Sequence, residues 1–156
     1  MKEEIKVGEK APDFELRRQD GGLFRLSDLR EKKNVVLYFY PKDSTPGCTK
    51  QACAFRDHYE VFQEQGAEVV GISSDSEKSH QKFEKSYKLP FVLLSDNGGS
   101  VRNIYGVPKK FGIIPGRVTY IIDKDGIVRY VFNSLTKPLE HVNTALDILK
   151  GINSLN

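Results

Sequence analysis

The sequence has no tryptophan, one methionine and two cysteines in 156 residues. Two cysteines are too few for a disulfide-built scaffold, and 13 glycines and 7 prolines without a period exclude a collagen-like chain. Long apolar runs are missing as well. The longest, Val35 to Tyr40, spans six residues, against the roughly 20 that a membrane helix needs. The opening MKEEIKVGEKAPDF mixes charges of both signs and has no apolar stretch, so no secretory signal is expected and a cytoplasmic location is. Charge of one sign is lacking too: 24 basic residues stand against 21 acidic ones, a net +3, which leaves no basic footprint for nucleic acid. There is no Gly-x-Gly-x-x-Gly and no Walker A loop, Gly98-Gly99 being only a turn signal. His58, His80 and His141 are scattered and make no zinc-ligand spacing with the cysteines, so neither metal nor cofactor is expected. His58 and His80 read instead as surface or helix-packing residues. A phosphatase loop needs an arginine six residues after its cysteine, where Ala54 and Tyr59 stand.

What is present is 38% hydrophobic residues and 29% charged ones in one domain's length, enough to bury a core without a metal or disulfide staple. Residues 1–156 are read as a single domain, with no repeat or linker. Phe14–Arg18, a Gln19–Gly22 turn and Leu23–Leu26 form an N-terminal hairpin, and Ser27-Asp28 offers a cap for a short helical turn. Val35–Phe39 is a β-branched and aromatic run, the pattern of a strand buried on both faces. From Gly47 to about Gln65 the period becomes helical, with Cys48, Ala52, Phe55, Tyr59 and Phe62 on one face. A second buried strand covers Glu68–Ser73, and Asp75 and Ser76 cap a helix to about Tyr87. A short strand at Phe91–Leu94 and a short helix at Gly99–Tyr105 follow. Val118–Ile122 and Ile127–Phe132 make an antiparallel hairpin, and a last helix after Pro138 turns Val142, Leu146 and Leu149 inward. This order describes an α/β protein with a central mixed sheet flanked by helices, the arrangement of a thioredoxin-like fold.

The chemistry centres on the cysteines. Pro41-Lys42-Asp43-Ser44-Thr45-Pro46-Gly47-Cys48 leaves a buried strand and delivers a thiol into the first turn of a helix. Open α/β sheets place ligands at that end of their strands. A helix N-terminus presents unpaired N–H groups and the positive end of the macrodipole, a setting that favours thiolate over thiol. Thr45 stands where it can cap the helix or bond a group at the sulfur. Burial as a small hydrophobe is the alternative for Cys48. Cys53 lies five residues on, which in an intact helix puts the Cα atoms about 8.7 Å apart. A disulfide needs them closer than about 7 Å. The two join only if the first turns unwind, the behaviour of a redox pair more than of a structural staple.

The run YFYPKDSTPGCTKQACAFRD, Tyr38 to Asp57, closely resembles the active-site segment of peroxiredoxins of the bacterioferritin-comigratory, or peroxiredoxin Q, group. The likeness continues in GEKAPDFEL (Gly8–Leu16), GISSDSEKSHQKF (Gly71–Phe83), LPFVLLSD (Leu89–Asp96), YGV (Tyr105–Val107) and GRVTYIIDKDG (Gly116–Gly126). It implies a thiol peroxidase acting on hydrogen peroxide and organic hydroperoxides, monomeric, with no cofactor and with thioredoxin as reductant. By the same resemblance Cys48 is the peroxidatic cysteine and Cys53 the resolving one. Thr45 hydrogen-bonds peroxide and sulfur, Pro41 shields the thiolate, and Arg117 pairs with the thiolate and positions the peroxide. Gly47 lets substrate approach its backbone N–H. Arg117 is one of eight arginines, and on residues alone it reads as a stem packed over the sheet with its head in water. Gln51 departs from the glutamate many family members carry, removing a charge that would oppose a thiolate. Two other classes stay open on the residues: a thioredoxin-like thiol–disulfide oxidoreductase, although C-x-x-C is missing, and a redox-switched interaction or holdase protein exposing Phe55, Tyr59 and Phe62. That stripe also fits ordinary core.

Overall fold

A computed structural model describes residues 4–110 and 114–154. The chain runs β1 (Glu15–Arg18), β2 (Leu23–Arg25), a 3-10 turn (Leu26–Leu29), β3 (Asn34–Phe39), α1 (Pro46–Asp57), α2 (Tyr59–Glu64), β4 (Ala67–Ser73) and α3 (Glu77–Tyr87). It continues through β5 (Val92–Ser95), α4 (Ser100–Ile104), β6 (Lys109–Lys110), β7 (Ile114–Pro115), β8 (Val118–Ile122), β9 (Val128–Asn133) and α5 (Pro138–Ser154).

Seven strands form one mixed sheet in the order β2-β1-β5-β4-β3-β8-β9. β3, β4 and β5 are parallel, while β8 and β9 add antiparallel on one side and the β1–β2 hairpin on the other. Every residue of β3 is buried, as its unbroken apolar run requires of a central strand. Its alternation sends Val36 and Tyr38 toward α1, α2, α3 and α5, packed with Phe55, Phe62, Phe83, Val142 and Leu149. Val35, Leu37 and Phe39 point to the other face, with Ile72, Leu94, Tyr105 and Tyr120 under the N-terminal segment and α4. Tyr38 stacks on Phe55 at 4.6 Å and on Tyr40 at 5.3 Å between ring centroids. Gly71 on β4 makes room for that ring, since a Cβ there would lie 2.9 Å from it. Among the described residues, no helix is long and apolar enough to cross a membrane.

The single helix expected from Gly47 to Gln65 is two. It breaks at His58 (φ −107°, ψ 7°), whose ring Nδ1 lies 2.9 Å from the Ala54 carbonyl. The ring shares that acceptor with His58's own N–H, and such local side-chain competition weakens a helical ladder. Two caps also differ. Ser76 caps α3 through the Ser79 N–H, but Asp75 turns away to accept from the Asp43 N–H and the Ser73 hydroxyl. The Ser27 N–H is satisfied by Asp13 Oδ1 at 2.9 Å and not by a local side chain. The short β6–β7 pair has no period-2 signal in its residues and was not expected from them.

Candidate active site

The loop leaving β3 enters α1 with Pro46 at its first position and Thr45 as the backbone N-cap (φ −80°, ψ 155°). Proline suits that position because its missing N–H would be unpaired in any case. The Thr45 carbonyl accepts from the Thr49 N–H at 2.8 Å. Its hydroxyl does not cap the helix; it donates to the Lys42 carbonyl at 2.9 Å. Gly47 and Cys48 therefore present first-turn N–H groups without a side-chain acceptor. Cys48 is 1% exposed, Cys53 is half-buried, and both are free thiols within α1. The intact helix keeps their Cα atoms about 8.7 Å apart. Pro41 lies half-buried at the start of the loop.

Arg117 sits immediately before β8 and is 4% exposed, so its head is not in water. Nη1 donates to Gln51 Oε1 at 2.6 Å and Nε to the Leu135 carbonyl at 3.1 Å. A Cβ on Gly47 would stand 3.0 Å from Arg117 Nη2, so glycine is what lets the guanidinium lie against the first turn of α1. A second buried guanidinium, Arg102 of α4, donates to the Gly116 carbonyl at 3.0 Å and the Tyr40 carbonyl at 2.9 Å, over the Phe39 ring. Burial pulls its pKa below the usual arginine value, while Asp96 and Cys48 act in the opposite direction. Among the described residues, neither guanidinium has a carboxylate within ion-pair distance. Sequence reasoning missed Arg102. A charged residue on a five-residue helix resembles any solvated face, and only the packing of α4 against the sheet buries it.

Among the described residues, the buried Tyr38 hydroxyl and Gln51 Nε2 have no hydrogen-bond partner. Burial drives the Tyr38 phenol far above its ordinary pKa, and neighbouring Cys48 and Asp43 add to the shift, so it remains a neutral hydroxyl. The helical face is core: Phe55 and Phe62 are fully buried and Tyr59 packs partly buried against them.

His80 is fully buried, the helix-packing alternative and not the surface one, in a network with Asp43, Tyr40, Ser79 and the Leu94 carbonyl. Ligand atoms of Asp43, Asp75 and His80 lie within 4.8 Å of one another, but each is already engaged in this hydrogen bonding.

His141 is the other buried histidine, between the Thr119 hydroxyl at 2.8 Å and the Ser134 carbonyl at 2.7 Å. Burial is the main cause of a pKa lowered from 6.5 to about 4, and Arg117 adds to it. The depressed value means its contribution to stability is complete above pH 6.5 and is lost as pH falls from there toward 4. At pH 5 the loss is about 2 kcal/mol. Urea unfolding at pH 7.5 and 5 should show wild-type protein losing that much more stability than His141→Asn.

The chain matches the AhpC/TSA family over residues 7–131. It belongs to that family of peroxiredoxins. Peroxiredoxin Q of Oryza sativa subsp. japonica, named as chloroplastic, is 53% identical over 149 residues, 95% of this chain and 68% of the relative. Peroxidoxin BcpB from Mycobacterium tuberculosis superposes with a TM-score of 0.88 at 40% identity, covering 95% of this chain and 98% of that one. A bacterioferritin comigratory protein of Xanthomonas campestris, described with alkyl peroxide reduction activity, superposes at 0.83 with 29% identity, covering 90% and 92%. The chain is thus a peroxiredoxin of the peroxiredoxin Q group with a thioredoxin-like fold, and its activity is that of a thiol peroxidase.

Proposed function

We propose that Cys48 is the peroxidatic cysteine and Cys53 its resolving partner, in a monomer that reduces hydrogen peroxide and organic hydroperoxides at the expense of thioredoxin. The observation that carries this is the pair of buried arginines, Arg102 and Arg117, with no carboxylate partner among the described residues, beside a buried thiol at a helix N-terminus. A buried cation is costly unless an anion or a good acceptor set meets it. In this reading the sulfur of Cys48, when it reacts as a thiolate, is that anion.

In this reading the thiolate attacks one peroxide oxygen. The O–O bond breaks, the leaving oxygen takes a proton as water or alcohol, and sulfur is oxidised to sulfenic acid. Thr45 already donates its hydroxyl hydrogen to Lys42, so its oxygen is free to accept from the peroxide O–H. Arg117 and the Gly47 and Cys48 N–H groups face charge that grows on the peroxide oxygens. Pro41 limits water at the loop. Cys53 then attacks the sulfenic sulfur, forming S–S and releasing water. That step requires α1 to open, and the break at His58 confines the opening to α1, leaving α2 and its buried Phe62 in place.

Organic hydroperoxides are supported by the alkyl peroxide activity of the Xanthomonas relative, and thioredoxin by the family resemblance. A monomer is what the family resemblance implies, and we take residues 1–156 as one catalytic domain. Two reducible thiols suit a reducing compartment, a property the expected cytoplasm shares with the chloroplast named for the plant relatives. The test is the intact mass after one equivalent of hydrogen peroxide. A loss of two hydrogens confined to a peptide holding Cys48 and Cys53 is expected; a stable gain of one oxygen with Cys53 still alkylatable would remove Cys53 from the role.

A further inference from the structure

The loop that must release Cys48 is held at one residue. Asp43 Oδ1 accepts from the Tyr40 hydroxyl at 2.6 Å, and Oδ2 accepts from the Ser79 hydroxyl at 2.8 Å and faces His80 Nδ1 at 2.7 Å. The Asp43 N–H donates to Asp75 Oδ2 at 2.8 Å. Among the described residues, no other member of 41–45 hydrogen-bonds to α3 or to the segment before it. His80 in turn faces the Leu94 carbonyl through Nε2 at 2.9 Å, so it fastens the loop to the middle of the sheet. Both ring nitrogens face oxygens. The Asp43–His80 contact is therefore a fully buried one that ties the loop to α3 and β5. Next to this anchor Ser44 adopts φ +63°, a left-handed conformation that a serine seldom takes. Such strained residues persist where their surroundings over-determine them, and here the surrounding constraint is Asp43.

We propose that the Asp43–His80 pair is a positioning clamp that keeps the Cys48 loop closed and sets how often α1 opens for disulfide formation. The proposal rests on Cys48 and Cys53 being the peroxidatic and resolving pair. In the closed loop, Cys48 keeps its place against Arg117 and reacts with peroxide. A sulfenic acid formed there has two fates. With the loop open it condenses with the Cys53 thiol to disulfide and water. With the loop closed it meets a second peroxide and becomes sulfinic acid, releasing water or alcohol. The clamp decides the division between them, because a locally opened state is populated according to its free energy.

The experiment treats wild-type, Ser79→Ala, His80→Gln and Asp43→Asn proteins with hydrogen peroxide. Rapid quenching and mass spectrometry then follow free thiol, sulfenic acid, disulfide and sulfinic acid. Disulfide formation should quicken about fivefold or more in His80→Gln and Asp43→Asn and about twofold in Ser79→Ala, with sulfinic acid yield falling in step. Initial thiol oxidation should change less than about threefold, a split that a general loss of structure does not produce. Disulfide rates within twofold of wild type in folded His80→Gln and Asp43→Asn, or unchanged in Ser79→Ala, would overturn the clamp. So would both steps slowing together. If the buried substitutions fail to fold, Ser79→Ala and amide exchange of the wild-type protein carry the test: the Asp43 and Thr49 amides, bonded to Asp75 and to Thr45, should exchange at matched rates, and unmatched rates overturn the proposal. A wild-type protein that forms no Cys48–Cys53 disulfide removes the cysteine assignment itself, an outcome separate from an unmoved rate in the variants.

Discussion

Thioredoxin-dependent peroxide consumption by Cys48→Ser should fall to the buffer blank, a loss of about 10⁴-fold or more, the scale on which removal of a nucleophile acts. Serine fills nearly the volume of cysteine at a site that is 1% exposed, so the fold should survive and melting should shift little. The chemistry does not survive. A hydroxyl at this position is barely ionised near neutrality, and a serine oxygen cannot take up an oxygen atom from peroxide as sulfur does in becoming sulfenic acid. Cys53→Ser separates the two roles. It should release one equivalent of alcohol or water per chain in a rapid first turnover and then stall with oxidised Cys48, because no other thiol exists in the chain to displace it. Continuous turnover by Cys53→Ser with thioredoxin alone would mean that resolution does not use Cys53. Turnover by Cys48→Ser would end the assignment altogether.

Arg117→Gln should lower kcat/KM for hydrogen peroxide by about 10²–10³-fold, the cost of losing one well-placed donor to charge that develops in the transition state. The reason is local. Arg117 lies against the first turn of α1 with no carboxylate in ion-pair range among the described residues, and Gln51 meets its Nη1 with a neutral amide oxygen. A carboxylate at position 51 would be an alternative counter-charge for the guanidinium; the amide supplies none. Arg117→Lys should recover only part of the loss, since an ammonium keeps the charge but lacks the planar fork that meets Gln51, Leu135 and the site together. Steady-state rates at saturating thioredoxin, with melting curves to confirm folding, provide the check. A kcat/KM within threefold of wild type would mean that Arg102 and the helix N-terminus suffice without Arg117.

These two predictions depend on different kinds of information. Cys48 was legible from local sequence, because strand, proline-bearing loop and helix start are each specified by neighbouring residues. Arg117 was legible only through family resemblance: it is 69 positions from Cys48 in the numbering, and no spacing rule links a residue before β8 to the first turn of α1. The same distinction explains the other differences. Thr45 reads as a helix cap or a partner for a group at the sulfur, yet its hydroxyl donates to the Lys42 carbonyl offered by the turn of its own loop. His58 lies within an apolar helical period that continues past it, so periodicity ran through a break made by a side chain bonding to its own backbone.

The sequence by itself determined the α/β order, the double-sided burial of β3, the placement of a thiol at a helix start and the spacing that keeps two cysteines apart until that helix opens. These are matters of period, turn chemistry and helix rise, which act within a few residues. Only the tertiary structure decided which charges surround that thiol. Arg102 and Arg117 are both buried with no carboxylate partner among the described residues, and Asp43 of the Cys48 loop reaches His80 across 37 residues. Burial and electrostatics depend on distance in space, and the folded sheet sets that distance where sequence separation does not.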